Sequence, residues 1–196
     1  MDKKGYIVLG GIIGLYLIIF VLFLTNPSDD YYSFFVRLFA LTGLYGLLIA
    51  TLMTPFLKEI YQIFGKPFLK IHHTFAALGI AGATLHPVVF ALDVGDPAVF
   101  IPDTSSWLAF WELAGRPALI LIYIAVVAVL IKSKMKGYWR AVHSLMYVVL
   151  IFVMVHGFLI GTDFENIGIL VIYGLLFLGV WVGFAYKRYQ RWQLKK

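Results

Sequence analysis

The sequence predicts an all-α fold, a bundle of six transmembrane helices with both termini on the cytoplasmic side. Three observations predict it. The first is composition: of 196 residues, 62% are hydrophobic and 13% charged. An ordinary soluble domain has about 45–50% apolar and about 25% charged residues, so a water-soluble globule is excluded. The second is pattern. Six stretches approach the ~20 mostly apolar residues that the hydrocarbon layer requires, and they are continuously apolar rather than alternating, which excludes a membrane barrel. The third is the sorting of charge between the two sets of loops.

The elements follow in order. The first span, Gly5–Leu24, comes after Met1-Asp2-Lys3-Lys4, which resembles the basic start of a signal peptide. Its apolar run exceeds the usual ~7–15 residues and no small-x-small cleavage site follows, so it is kept as a true span. The second, Tyr32–Leu57, carries Arg37 some residues in from its outer end, where snorkelling to the outer surface is expected. The third, Ile71–Leu92, holds three histidines. A long outer loop, Asp93–Gly115, carries Phe100, Trp107, Phe110 and Trp111 among acids and prolines. It reads as an aromatic belt at the interface or as a lid over something beneath. The fourth span, Arg116–Ile131, starts on an interface arginine. The fifth, Tyr138–Gly161, holds two histidines, and the sixth, Ile167–Tyr186, ends in a basic tail.

Fourteen of the sixteen Lys and Arg residues fall on one side, among them Lys3, Lys70, Lys134, Arg140, Arg188, Lys195 and Lys196; Arg37 and Arg116 do not. Asp29, Asp30, Asp93, Asp96, Asp103, Glu112, Asp163 and Glu165 fall on the other. The positive-inside rule places the basic side, with both termini, in the cytoplasm of a multi-pass cell-membrane protein. The net charge of +6 is thereby topological, and it gives no support to nucleic acid as a partner; the bilayer is the partner. Cysteine is absent, which removes disulfides, thiolate metal sites, iron–sulfur clusters and covalent haem attachment.

The chemistry lies in the histidines. His72, His73, His86, His143 and His156 all sit in the third and fifth spans, and ionisable groups inside a membrane are costly enough to point to function. Both spans enter from the cytoplasm. His72 and His143 therefore lie near the inner surface, while His86 and His156 lie ~21 Å and ~20 Å further along at ~1.5 Å per residue. Two helices side by side thus offer an inner and an outer histidine pair. Two stacked haems, each taking one imidazole from each helix, satisfy all four positions. Fourteen residues return His86 to within ~40° of the face of His72, whereas thirteen leave His143 and His156 ~140° apart. The second pair therefore requires a bend, a bulge or differently swung rings. His73 points ~100° from His72 and is its rival if the true spacing is thirteen in both helices. The small residues between His72 and His86, Gly79 and Gly82 among them, fit either a cofactor face or a close helix contact. Lys70 and Arg140 flank the inner pair, where they serve haem propionates or ordinary positive-inside anchoring. An outer-haem propionate is the alternative role for Arg37.

With these residues in view, the sequence resembles the ferric reductase-like transmembrane domain, shared with NADPH oxidases and bacterial haem-bearing reductase subunits. The residues that carry the resemblance are His72 with His86-Pro87, and Trp139-Arg140-x-x-His143-x-Leu145-x-Tyr147 continuing to His156. The resemblance implies six helices and two non-covalent b haems, with His72 and His143 as inner-haem ligands and His86 and His156 as outer ones. Gly79, Gly82, Trp139 and Arg140 are then candidate cofactor contacts. No catalytic residue is assigned.

The expected activity is transmembrane electron transfer by a dihaem b-type oxidoreductase component. Electrons would enter from a separate cytoplasmic flavoprotein, or from FMN or FAD at the inner face, and leave to an outer acceptor such as ferric iron or oxygen. Full-length relatives add a soluble FAD and NADPH domain; here no Gly-rich dinucleotide loop follows a strand, so a separate donor is expected. One alternative is a haem-binding subunit that delivers electrons, from quinol for example, to a partner reductase outside. This is the role implied by the similar haem-binding subunit of the periplasmic methionine sulfoxide reductase system. A more distant alternative is a His-lined transporter, which predicts mid-span acids beside the histidines.

Overall fold

The computed structural model describes residues 3–28 and 30–194. Asp29, Lys195 and Lys196, which entered the charge sorting, lie outside the described residues. Within them the chain is helical and without strands: α1 (Lys3–Leu24), α2 (Tyr31–Leu52), α3 (Leu57–Phe64), α4 (Phe68–Val94), α5 (Trp107–Glu112), α6 (Gly115–Leu130), α7 (Trp139–His143), α8 (Met146–Ile160) and α9 (Ile167–Gln193). Five helical segments are long and apolar enough to cross a membrane: α1, α2 continued through α3, α4, α7 with α8, and α9. The expected fourth span forms α6, which is apolar but only 16 residues long.

Local chemistry sets the boundaries. Asp30 caps α2 by accepting from the Ser33 amide at 2.9 Å, and Asn166 caps α9 by accepting from Gly168 at 2.9 Å. These side chains satisfy amides that have no partner in the first helical turn. Within the second span, the α-helix breaks before the expected end at Leu57. Pro55, which has no N–H to give, falls in a 3₁₀ turn at Thr54–Phe56, and the chain restarts as the short helix α3. Gly65 (φ 62°) closes α3 and Gly95 (φ 67°) closes α4 in the left-handed conformation that glycine accepts most readily.

Contacts fix the directions. Tyr45 of α2 donates to the Ile12 carbonyl at 2.6 Å and Tyr16 bonds Thr42 at 2.6 Å, so α1 and α2 are antiparallel. Along α9, Tyr173 meets Leu41, Gly179 meets Leu52 and Gly183 meets Pro55, so α9 runs parallel to α2. The core centres on α2, where every residue from Gly43 to Thr51 is buried. The buried Tyr45 and Tyr173 hydroxyls both reach backbone carbonyls, as buried polar groups must. Outward faces carry exposed Ile7, Leu17, Val21, Leu175 and Val182, apolar surface that suits lipid.

The tightest contact joins α2 and α4. A Cβ added to Gly43 would lie 2.6 Å from the Ala83 nitrogen, and one on Gly46 2.5 Å from the Gly79 nitrogen. From the other side, a Cβ on Gly79 would lie 2.6 Å from the Leu47 nitrogen, and one on Gly82 2.5 Å from the Gly43 nitrogen. Only glycine permits backbones this close. Of the two roles the sequence allows for Gly79 and Gly82, the helix contact is the one present, because the backbone of α2 fills the space a cofactor face would need.

Candidate functional site

Helix α4 positions His72 and His86, and the α7–α8 segment positions His143 and His156. The rings of His72 and His143 have centroids 6.3 Å apart with planes at 77°. Those of His86 and His156 are also 6.3 Å apart, with planes at 68°. The structure thus brings together the four histidines in the two pairs that the sequence predicts. His73 is exposed and stands beside His72 with centroids 5.9 Å apart; His72 is the ring opposite His143. Phe68 stacks on His72 with centroids 5.2 Å apart and planes at 26°.

A tightened turn takes up part of the mismatch that the thirteen-residue spacing creates. Between α7 and α8, Leu145 donates to Val142 at 3.0 Å and Tyr147 to Ser144 at 3.0 Å, both i→i+3 bonds. Each 3₁₀ step turns the chain about 120° instead of about 100°, so a few such residues recover on the order of half the ~140° mismatch.

All four rings share one second contact. His72 Nδ1 lies 3.0 Å from the Ala50 carbonyl and His86 Nδ1 2.9 Å from the Val36 carbonyl. His143 Nδ1 lies 3.3 Å from the Ala125 carbonyl and His156 Nδ1 2.6 Å from the Glu112 carbonyl. A carbonyl only accepts, so Nδ1 is the donor in each ring and Nε2 keeps its lone pair. The register that places Ala50 and Val36 opposite the two α4 histidines is the one the glycine contact sets. These carbonyl partners are backbone atoms of other elements, and no sequence signal marks them.

A cavity of about 390 Å³ opens at the outer pair, within the usual range of about 300–1,000 Å³ for ligand pockets. Its walls include His86, Pro87, Phe100, Gly115, Arg116 and His156. Pro87 lies inside α4 and supplies no amide, so the Ala83 carbonyl, also at the cavity wall, loses its usual helical donor. The loop between α4 and α6 contributes Val99, Phe100 and Leu113 to the cavity wall. Trp111 and Phe110 pack edge-on against Phe152 at 5.4 and 5.9 Å, while Trp107 remains 78% exposed. Arg116 ties this loop down by donating to the Ala98 carbonyl at 3.3 Å and the Ile101 carbonyl at 2.9 Å. In the same loop, hydrogen bonds from Ser105, with the nearby Arg116 charge, hold the Asp103 carboxyl below its usual range.

Arg37 does not snorkel. It turns inward and meets Asp163 through Nε at 3.1 Å and Nη2 at 2.5 Å, with further bonds to Ser28 Oγ at 2.9 Å and the Asn26 carbonyl at 2.7 Å. Both side chains are nearly enclosed, at 12% and 7% exposure. Asp163 had no role in the sequence reading beyond its side of the membrane, yet a buried arginine calls for such a partner. At the other end, the Arg140 guanidinium sits 5.1 Å from the Trp139 ring centre, so these two meet each other one turn before His143.

Among the described residues no three His, Asp or Glu side chains converge. Each opposed imidazole pair could hold a cofactor that brings further metal donors of its own. No family model, no curated protein and no solved structure matches this chain.

Proposed function

We propose that this chain is a dihaem b-type electron-transfer protein that spans the bilayer six times, with both termini in the cytoplasm. The observation that carries the proposal is the repeated pair: two imidazole pairs, each with ring centroids 6.3 Å apart and each Nδ1 on a carbonyl. Two imidazoles that shared one metal through nitrogen, at a bond of about 2.0–2.1 Å each, would have ring centroids about 6.3–6.5 Å apart, and the separation of both pairs is compatible with that. The fourteen-residue step from His72 to His86 sets the two sites ~21 Å apart along α4. The resemblance to the ferric reductase-like domain points the same way.

When bound, each haem supplies one-electron redox chemistry at iron. The chain's residues do the rest. His72 and His143 hold the inner group, and His86 and His156 the outer one, through Nε2. Held by two imidazoles, each group would serve electron transfer rather than oxygen chemistry. The carbonyls of Ala50, Val36, Ala125 and Glu112 fix each ring's orientation and tautomer and strengthen its donor nitrogen. The apolar walls of the outer cavity, Phe100 and Leu113 among them, keep the local dielectric low. Arg116 lines the same cavity and balances negative charge there, whereas the Arg37 charge is already met by Asp163. A separate flavoprotein, or a flavin at the inner face, donates at the end that carries Lys70, Lys134 and Arg140, and an acceptor outside the membrane takes the electron.

A pyridine haemochrome assay on the purified full chain tests this. The expected result is haem b at two per chain, falling to about one in His86→Ala and in His156→Ala. Protein without haem b, or variants with unchanged haem content, would refute it.

A further inference from the structure

Gly115 opens α6 beside the outer pair. A methyl group built on it would lie 3.1 Å from Nε2 of His156, 3.2 Å from Cδ2 and 3.4 Å from Cε1. The ring is not free to retreat, because Nδ1 is held by the Glu112 carbonyl at 2.6 Å. The corner between α5 and α6 therefore meets the imidazole twice, with the Glu112 carbonyl on Nδ1 and Gly115 against the ring face at Nε2.

Local backbone gives no reason for glycine here. Positive φ among the described residues is confined to Gly65, Gly95, Gly137 and Lys136, and Gly115 has ordinary helical geometry as the first residue of α6. Alanine is the better helix former at such a position. What the missing side chain preserves is room over the face of the His156 ring at its Nε2 edge.

We propose that Gly115 is a positioning residue for the outer site: the absence of a side chain lets the His156 ring keep the place and tilt from which its Nε2 would hold the outer group. The inference rests on the dihaem reading. A larger residue at 115 then closes the outer site selectively, leaves the inner site intact, and does not harm the fold of the haem-free chain.

The test compares Gly115→Ala with Gly174→Ala, whose added methyl would meet nothing within 4 Å. Both are made in the full chain, with haem per chain, low-spin electron paramagnetic resonance signals and thermal unfolding of the haem-free protein as readouts. The expected result for Gly115→Ala is a fall from two haems to one, or a displaced signal for one of the two, with haem-free unfolding unchanged or raised. Gly174→Ala keeps two haems and both signals. Two haems with unchanged signals in Gly115→Ala overturn the inference. So does loss of both haems or of the folded haem-free chain, since either makes Gly115 a general structural residue. Wild-type protein without haem refutes the underlying reading instead, so the two failures are distinguishable.

Discussion

Asp163→Asn should destabilise the protein far more than the loss of one surface charge. The carboxylate is 7% exposed and its arginine 12%, so neither side chain has water to fall back on. With charge centres about 4 Å apart and an effective dielectric near 20, the attraction lost is about 4 kcal/mol. Removing one partner of a buried pair costs about 3–5 kcal/mol on the same grounds, because the other charge stays buried without compensation. Arg37→Met should cost a similar amount. The double variant Arg37→Met/Asp163→Leu should recover much of the loss, because neither charge is left behind. It still forfeits the bonds to Ser28 and the Asn26 carbonyl, at about 1 kcal/mol each. A double-mutant cycle by reversible unfolding in detergent micelles should return a coupling energy of about 2–4 kcal/mol. Single variants that each cost under about 1 kcal/mol, or costs that simply add, would refute the claim that this pair is enclosed and mutually dependent.

Two further predictions concern helix geometry. Gly79→Ala places a methyl 2.6 Å from the Leu47 backbone nitrogen; it should force α2 and α4 apart and cost about 1–3 kcal/mol as overpacking, whereas Gly10→Ala, with nothing within 4 Å, should not lower the thermal midpoint. Inserting one alanine after Leu145 rotates His156 by about 100° relative to His143 and should leave one of the two haem sites empty by haem-to-chain ratio; a retained ratio of two would count against the tightened turn as a device that helps align the pair.

The residue types that matter were largely legible because a membrane leaves few reasons for polar side chains. Five histidines confined to two apolar stretches are conspicuous by cost alone, and their spacing along a helix converts directly into depth. The phase of the second pair was not legible, because part of the correction comes from hydrogen bonds at Val142–Tyr147 that no residue type there dictates. Arg37 illustrates the same limit. An arginine near a helix end can reach outward or find an acid, and its position relative to Asp163, 126 residues away in sequence, decides between them. Gly79 and Gly82 read equally well as a cofactor face or a helix contact until the opposing helix, with Gly43 and Gly46, was in place.

The sequence by itself determined the solvent, the helical class, the levels of the histidines and the absence of thiolate chemistry, since these follow from composition, run length and a fixed rise per residue. Only the tertiary structure decided which nitrogen of each histidine is free, which arginine is paired, and what stands against residue 115. Those depend on distances of about 3 Å between segments remote in the chain. Such distances are set by how helices cross and where turns tighten, which is the combined result of many contacts and is written in no single stretch of residues.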